Sequence, residues 1–115
     1  MSLDRTGICL REMRNHAREA IDLAKGKCRE DLDTQRLLNL ALVRLLEIIG
    51  EAANRVPQQD RLRYPQIAWP QIIGLRHRLI HAYDRVDFDI LWQIVVHDLP
   101  PPVVDLEKIV TAEDR

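Results

Sequence analysis

The fold is decided by residues 34–56, which read TQRLLNLALVRLLEIIGEAANRV. Apolar side chains recur in this stretch every three or four residues, the spacing of successive turns of an α-helix. They occupy positions 37, 38, 41, 42, 45, 46, 48, 49, 52 and 53 and so cover more than one face of that helix. We therefore predict a central helix that contacts neighbours on two sides, within a bundle or partly at a subunit interface.

The same periodicity predicts a helix on the N-terminal side of the central one. Apolar residues at positions 8, 9, 13, 17, 20, 21 and 24 form one stripe of an amphipathic helix over about 4–25. Gly26 is well suited to end it, because glycine adopts the left-handed conformation that often follows a helix. No stretch of the sequence keeps the alternation expected of a half-buried strand.

Three further helices are predicted after the central one. Pro57 ends the central helix, and a connection with a short turn near 61–64 leads to Pro70, which suits the first position of a helix reaching about Tyr83. Asp87 can cap a fourth helix. Pro100, Pro101 and Pro102 should break the chain sharply before a short last helix over about 103–110.

Composition supports a single all-α domain over residues 1–115, a bundle of four to five helices with an up-and-down core. Apolar residues make up 46% and charged residues 30% of the 115, which is typical of a folded globular protein. No apolar leader or membrane-length apolar run is present, and Cys9 and Cys28 fit no metal or redox spacing. We expect a cytoplasmic protein with two reduced thiols.

Charge is distributed unevenly along the chain although the formal net charge is −1. Residues 61–85 carry five arginines, at positions 61, 63, 76, 78 and 85, against the single acid Asp84. Arginine binds phosphate through two parallel hydrogen bonds and keeps its charge when it is partly desolvated. This cluster is compatible with phosphate binding, although charged runs are more often solvated faces.

The residues with the strongest chemical interest lie in 76–83, which reads RHRLIHAY. If the third helix continues to Tyr83, then Arg76, His77, His81 and Tyr83 line one broad flank of it. His81 could move a proton near neutral pH, and Arg76 could neutralise charge that develops on a phosphate. RNA supplies its own nucleophile, the 2′-hydroxyl, so these residues could suffice for cleavage without a metal or another cofactor.

Two other interpretations of this segment remain open. A basic residue and a histidine near one helix end are often structural. Alternatively, His77 and His81 are four residues apart, the spacing of zinc-ligand pairs on a helix, with Asp84 as the nearest third ligand. No further ligand follows at a recognised spacing, and we assign no metal site.

The pattern of Arg76, four residues, His81, one residue and Tyr83 resembles the signature of the HepT-like HEPN ribonuclease family. The flanking sequence is similar too, in the segments 46–53, 67–69, 72–76, 86–87, 91–95 and 98–100. The resemblance covers about residues 3–110. It implies a HEPN-type helical bundle that acts as a metal-independent RNA endonuclease, with Arg76 and His81 catalytic.

The resemblance also implies partners and a mode of control. Members of this family are homodimers in which two motifs face one cleft, and their antitoxin, an MntA-like nucleotidyltransferase, adenylylates the motif tyrosine. Tyr83 is therefore the expected modification site. The residue after the motif arginine is often asparagine in the family and is His77 here, which could orient His81, hold phosphate or do neither. His77 and Arg78 are assigned as motif-supporting residues. A HEPN domain that binds a nucleotidyltransferase without cutting RNA is the alternative.

Overall fold

A computed structural model describes residues 4–80 and 85–113 of the chain. Over these ranges the structure is helical apart from turns and one isolated β-bridge, so the predicted all-α class is confirmed. The elements are α1 (Arg5–Ala24), α2 (Asp31–Thr34), α3 (Arg36–Arg55), α4 (Gln58–Arg61), α5 (Trp69–Ile73), α6 (Leu75–Leu79), α7 (Phe88–Gln93), a π-helical turn (Ile94–Asp98) and α8 (Pro100–Glu113).

Helix α3 lies at the centre of the described fold. It packs against α1 along one side and against α5 and α6 along another, so the prediction of neighbours on two sides is confirmed. Leu42, Leu46 and Ala52 are fully buried between these partners. Helix α1 packs in turn against α8, and this places the core between α1, α3 and the C-terminal helices.

The close approach of α5 to α3 depends on Gly50. A Cβ atom added to this glycine would lie 3.1 Å from the carbonyl oxygen of Ile72 and 3.5 Å from that of Ile73. Both distances are to backbone atoms, which cannot swing aside as the end of a side chain can. Gly50 therefore sets the distance between the two helices, and with it the position of the segment that follows.

The single helix predicted from Pro70 to about Tyr83 is wrong in two respects. It is divided at Gly74 into α5 and α6, and α6 ends at Leu79, after which Ile80 is extended. Gly74 has φ −85° and ψ 8°, which leaves the helical region. The carbonyls of Ile72 and Ile73 lie against Gly50 of α3, so packing between helices replaces a regular helical turn.

The prediction for the C-terminal region was correct at Asp87 and wrong at the prolines. The Asp87 carboxylate accepts hydrogen bonds from the backbone N–H groups of Asp89 and Ile90 and caps α7. Pro100 begins α8, which spans 14 residues rather than the eight or so predicted. Proline does not break a helix in its first turn, where the N–H group has no intrahelical acceptor.

No helix in the described ranges is both long enough and apolar enough to cross a membrane.

Candidate active site

Helix α6 places three consecutive basic side chains on the surface. Its five residues bury Leu75 and Leu79 in the core and expose Arg76, His77 and Arg78. Leu75 and Leu79 are one turn apart and share a face, so the residues between them must point outward. The core packing of two leucines thus presents the first half of the motif to solvent.

Arg76 is directed towards α3. Its Nε atom lies 3.4 Å from Oε2 of Glu47, a long hydrogen bond within an ion pair. The Arg76 side chain is 67% exposed, whereas that of Glu47 is 23% exposed. Glu47 is the only residue in 4–80 and 85–113 that forms a hydrogen bond or ion pair with the guanidinium, so the two Nη groups have no hydrogen-bond partner in those ranges. They are the groups that could bind a phosphate in parallel.

Arg78 is directed to the other side of α6. Its Nη2 atom donates to Oδ2 of Asp98 at 3.1 Å, across to the π-helical turn. Side chains two positions apart on an α-helix point in directions about 200° apart. Arg76 and Arg78 therefore cannot bind the same phosphate from a rigid α6. Arg78 and Asp98 border a largely apolar groove of about 350 Å³ that Pro101 and Pro102 also line. Its described contact gives Arg78 a role in joining α6 to the π-helical turn.

His81 and Tyr83 lie outside the described residues, as do Ala82 and Asp84. The two ends of this segment are nevertheless fixed. Ile80 and Val86 form an antiparallel bridge, and the backbone N–H of Asp87 donates to the carbonyl of Leu79 at 2.9 Å. The expected shared flank of Arg76, His77, His81 and Tyr83 required a continuous helix, and α6 ends before His81.

The arginines of the positive segment 61–85 have different environments. Arg61 donates to the carbonyls of Val56 and Asn54 at 2.9 and 3.2 Å and so caps the end of α3. Arg63 lies 3.9 Å from Asp60. The fold therefore uses two of the five arginines to hold the connection after α3, and the charge that was clustered in sequence is dispersed in space.

Sequence reasoning did not identify Glu47 as the partner of Arg76. The glutamate one turn further along α3, Glu51, pairs with Arg44 at 3.4 Å and with Arg55 at 3.9 Å. Glu47 contacts Arg76 instead. The available signal was position: Glu47 lies about 60° from Gly50 around the helix axis, close to the side that faces α5 and α6. Charge and spacing alone did not separate the two glutamates.

Two of the three candidate zinc ligands, His81 and Asp84, lie outside the described residues. Within the described ranges, no three His, Cys, Asp or Glu side chains are grouped closely enough to hold a metal ion. Trp69 is buried, and its indole N–H donates to the carbonyl of Tyr64 at 3.1 Å. Trp69 is therefore part of the core.

Comparison with known proteins identifies the family. The model of the Ribonuclease HepT-like family matches residues 13–110. "Probable ribonuclease HepT" of Thermococcus cleftensis is 37% identical over 95 residues, which cover 79% of this chain and 86% of that protein. "Putative RNase TTE0752" of Caldanaerobacter subterraneus is 34% identical over 93 residues, covering 81% of this chain and 83% of that protein.

"Putative RNase MJ1380" of Methanocaldococcus jannaschii is 33% identical over 93 residues, covering 81% of this chain and 85% of that protein. No solved structure is significantly similar. The family match extends across α3 and α6 and into α8, and so includes both Arg76 and the helix that contacts it. On this evidence the chain belongs to the HepT-like ribonuclease family.

Proposed function

We propose that this protein is a metal-independent RNA endonuclease, the toxin of a toxin–antitoxin pair, with Arg76 and His81 as its catalytic residues. One observation carries the proposal: in a HepT-like ribonuclease, the motif arginine is exposed on α6 and held from one side by Glu47. An arginine in this state can receive a phosphate without first leaving the core. The catalytic role of His81 is assigned from the family motif.

The chemistry follows from the groups that RNA itself supplies. His81 takes the proton of the 2′-hydroxyl, whose oxygen attacks the adjacent phosphorus and forms a new O–P bond. The Nη groups of Arg76 bind the non-bridging oxygens and stabilise the charge that develops there. The bond from phosphorus to the 5′-oxygen breaks, and the protonated His81 returns the proton to that oxygen. The products are a 2′,3′-cyclic phosphate and a 5′-hydroxyl.

Substitution of the two residues tests this assignment. Arg76→Ala and His81→Ala should each reduce RNA cleavage at least about a hundredfold, because each removes a group that acts in the transition state. Both variants should abolish toxicity in growing cells and keep the helical content and oligomeric state of the unaltered protein. A His81→Ala variant that still cuts RNA at the original rate would refute the proposed base.

The second part of the proposal concerns control of the enzyme. An MntA-like nucleotidyltransferase attaches AMP to Tyr83, and this modification silences the nuclease. Tyr83 is two residues beyond His81 in the motif, and each AMP adds a negative phosphodiester together with the bulk of an adenosine. The added phosphate can pair with arginine and compete with RNA, while the nucleoside obstructs the cleft.

Tyr83→Phe separates catalysis from control. The variant should keep most of the nuclease activity, since the hydroxyl is neither nucleophile nor base in the proposed step. After incubation with the nucleotidyltransferase and ATP, intact-mass measurement should show added AMP on the unaltered protein and none on Tyr83→Phe. If the variant is still modified and silenced, another residue is the modification site.

We also propose that the active form is a homodimer. The exposed side of α3 carries Leu37, Ala41 and Ile48 within an arc of about 40°. Leu37 is 84% exposed, and Ala41 and Ile48 are half-buried. We call these three residues the α3 apolar stripe. A large aliphatic side chain so exposed on a central helix favours a second copy as its partner.

A further inference from the structure

A groove of about 340 Å³ lies beside the point where the chain returns after residue 84. Its lining comes from the first half of α3 and from the segment leading into α7, and consists of Arg36, Asn39, Leu40, Val43, Arg85, Val86 and Phe88. Arg85 and Val86 directly follow the motif in sequence, and Val86 is bridged to Ile80. The groove therefore adjoins the motif without being part of it.

The groove combines an apolar floor with positive edges. Leu40, Val43, Val86 and Phe88 provide the floor, and the arginines at positions 36 and 85 are both exposed. No residue in 4–80 or 85–113 makes an ion pair or hydrogen bond with either guanidinium, in contrast to Arg76 and Arg78. Nearby acids are engaged elsewhere, because Asp87 caps α7 and Asp89 pairs with Arg29.

Asn39 adds a fixed polar group. It is only 6% exposed, and its Nδ2 atom donates to the carbonyl of Leu32 at 2.9 Å. That bond holds the side-chain amide in one orientation where Asn39 lines the groove. A fixed amide beside apolar side chains suits the edge of a nucleobase, which offers both donors and acceptors.

The position of the groove relative to Arg76 matches the path of a single strand. Arg36, Leu40, Val43 and Glu47 lie within an arc of about 60° on α3, and Glu47 contacts Arg76. From Leu40 or Val43 to Glu47 the helix rises about 6 to 10 Å. That distance corresponds to roughly two or three nucleotides at about 3.4 Å each.

From these observations we propose that this groove is a nucleotide-binding subsite for the RNA substrate, a few nucleotides from the scissile phosphate. The base rests on Phe88 and the aliphatic floor, and the flanking phosphates bind Arg36 and Arg85. The inference rests on the proposed function, since it assigns a place to the RNA that the nuclease would cut. It adds a subsite in which no motif residue takes part.

Binding to RNA that cannot be cleaved tests the subsite separately from catalysis. The probe is a fluorescent, fully 2′-O-methylated oligonucleotide, which has no free 2′-hydroxyl. Arg36→Ala and Arg85→Ala should each weaken binding roughly three- to tenfold and reduce the slope of log affinity against log salt by about 0.7. Arg18→Ala is the matched control, an exposed arginine on α1 that pairs with Glu107 and should leave binding unchanged.

The base contact is tested at Phe88. Phe88→Leu retains an apolar side chain in the partly buried position but removes the ring, so it should weaken binding of the intact oligonucleotide. Because stacking requires a base, the same change should have no effect on an otherwise identical oligonucleotide that is abasic throughout. Equal losses for the two probes would show that Phe88 acts on folding, and would overturn the base contact.

Several outcomes distinguish failure of the subsite from failure of the nuclease. If unaltered protein neither binds nor cuts RNA, the proposed function itself is wrong. If it does both and the Arg36 and Arg85 variants behave like Arg18→Ala, the subsite is wrong and the nuclease stands. A change of oligomeric state with unchanged RNA binding would assign the groove to a second copy. If the Arg36 and Arg85 variants lose only their silencing by AMP and still bind RNA normally, the groove is a site for the modified tyrosine. Either result overturns the proposal.

Discussion

At the scale of single residues, the state of Arg76 depends on one neighbour. Glu47 bonds to Nε and leaves both Nη groups without a hydrogen bond to any described residue. A charge-assisted hydrogen bond of this kind contributes about 1.5–3 kcal/mol when it is well shielded. The 67% exposure of Arg76 and the 3.4 Å distance reduce that figure to about 1 kcal/mol. We therefore assign Glu47 a positioning role rather than a catalytic one.

Glu47→Ala should reduce kcat/KM for RNA cleavage roughly three- to tenfold, because the guanidinium loses the contact that orients it. Glu47→Gln should recover part of this loss, since its amide oxygen can still accept from Nε. The decisive measurement is a double-mutant cycle with Arg76→Lys, which retains positive charge and measurable activity. If Glu47 acts through Arg76, Glu47→Ala should have much less effect in the lysine background.

Glu107→Gln is the control for this cycle. Glu107 also pairs with one exposed arginine, Arg18 at 3.1 Å, but it lies on α8. We expect it to leave kcat/KM unchanged in both backgrounds. An equal loss for Glu47→Ala with arginine or lysine at position 76 would assign Glu47 a structural role and contradict the positioning account.

At the scale of elements, the contact between α3 and α5 determines where α6 begins. Gly50→Ala should lower the free energy of unfolding by about 1–3 kcal/mol, because its Cβ would press on the Ile72 carbonyl. Gly7→Ala is the matched control. A Cβ there meets the flexible end of Arg11 at 3.1 Å and makes an ordinary contact with the Cβ of Asp4 at 4.0 Å, so the gain in helix propensity of up to about 1 kcal/mol should dominate.

Urea denaturation followed by circular dichroism measures both variants. The account expects a lower midpoint for Gly50→Ala and an unchanged or higher one for Gly7→Ala, with similar slopes. Gly50→Ala should also impair RNA cleavage beyond its effect on folding, since α6 and Arg76 follow directly from α5. If the two glycine variants are equally stable, the proposed close approach of α5 to α3 is wrong.

The helices whose positions depend on local periodicity could be predicted from the sequence, and those set by tertiary contacts could not. The two long helices α1 and α3 agree with the prediction to within a residue or two, because their apolar stripes are continuous. The division at Gly74 directly follows the two carbonyls, of Ile72 and Ile73, that pack on Gly50, which is 24 positions before Gly74. Apolar residues on either side of Gly74 fit one helix equally well, so periodicity gave no sign of the break.

The C-terminal region shows the same limitation. A backbone N–H of Leu99 donates to the carbonyl of Ile94 at 2.8 Å and closes the π-helical turn that leads into α8. A π-helical turn has no propensity signature, and three prolines in succession were interpreted as an interruption rather than as the first turn of a helix.

In the candidate site, the sequence motif identified Arg76. The contact between Arg76 and Glu47 could be recognised only from the three-dimensional structure.

At the scale of the whole molecule, the proposed dimer depends on the α3 apolar stripe. Leu37→Glu should shift the sedimentation of the protein from dimer to monomer at micromolar concentration, because the charge would be buried in the interface. Leu62→Glu is the control: Leu62 is 81% exposed but lies after α4, away from the stripe. If Leu62→Glu dissociates the dimer and Leu37→Glu does not, the interface lies elsewhere. If the unaltered protein is a monomer, the proposed dimer is wrong.

The two cysteines report on the integrity of the core. Cys9 is buried, and burial raises the pKa of its thiol. Cys28 is exposed, and a hydrogen bond with Glu30 is the main cause that raises its pKa. A raised pKa lowers the thiolate fraction at neutral pH, so labelling of Cys28 should accelerate as the pH rises towards that pKa. Mass spectrometry after mild alkylation should show one label on the native protein and two after denaturation. Rapid labelling of native Cys9 would contradict the described packing of α1.

The central claim is that Arg76 and His81 promote attack by the RNA's own 2′-hydroxyl without a metal ion. The measurement that tests it most directly is cleavage of a defined RNA in excess EDTA, with both product ends identified by mass spectrometry. We expect full activity in EDTA, a 2′,3′-cyclic phosphate on one product and a 5′-hydroxyl on the other. Loss of cleavage in EDTA that added metal restores, or products with a 5′-phosphate, would contradict the account.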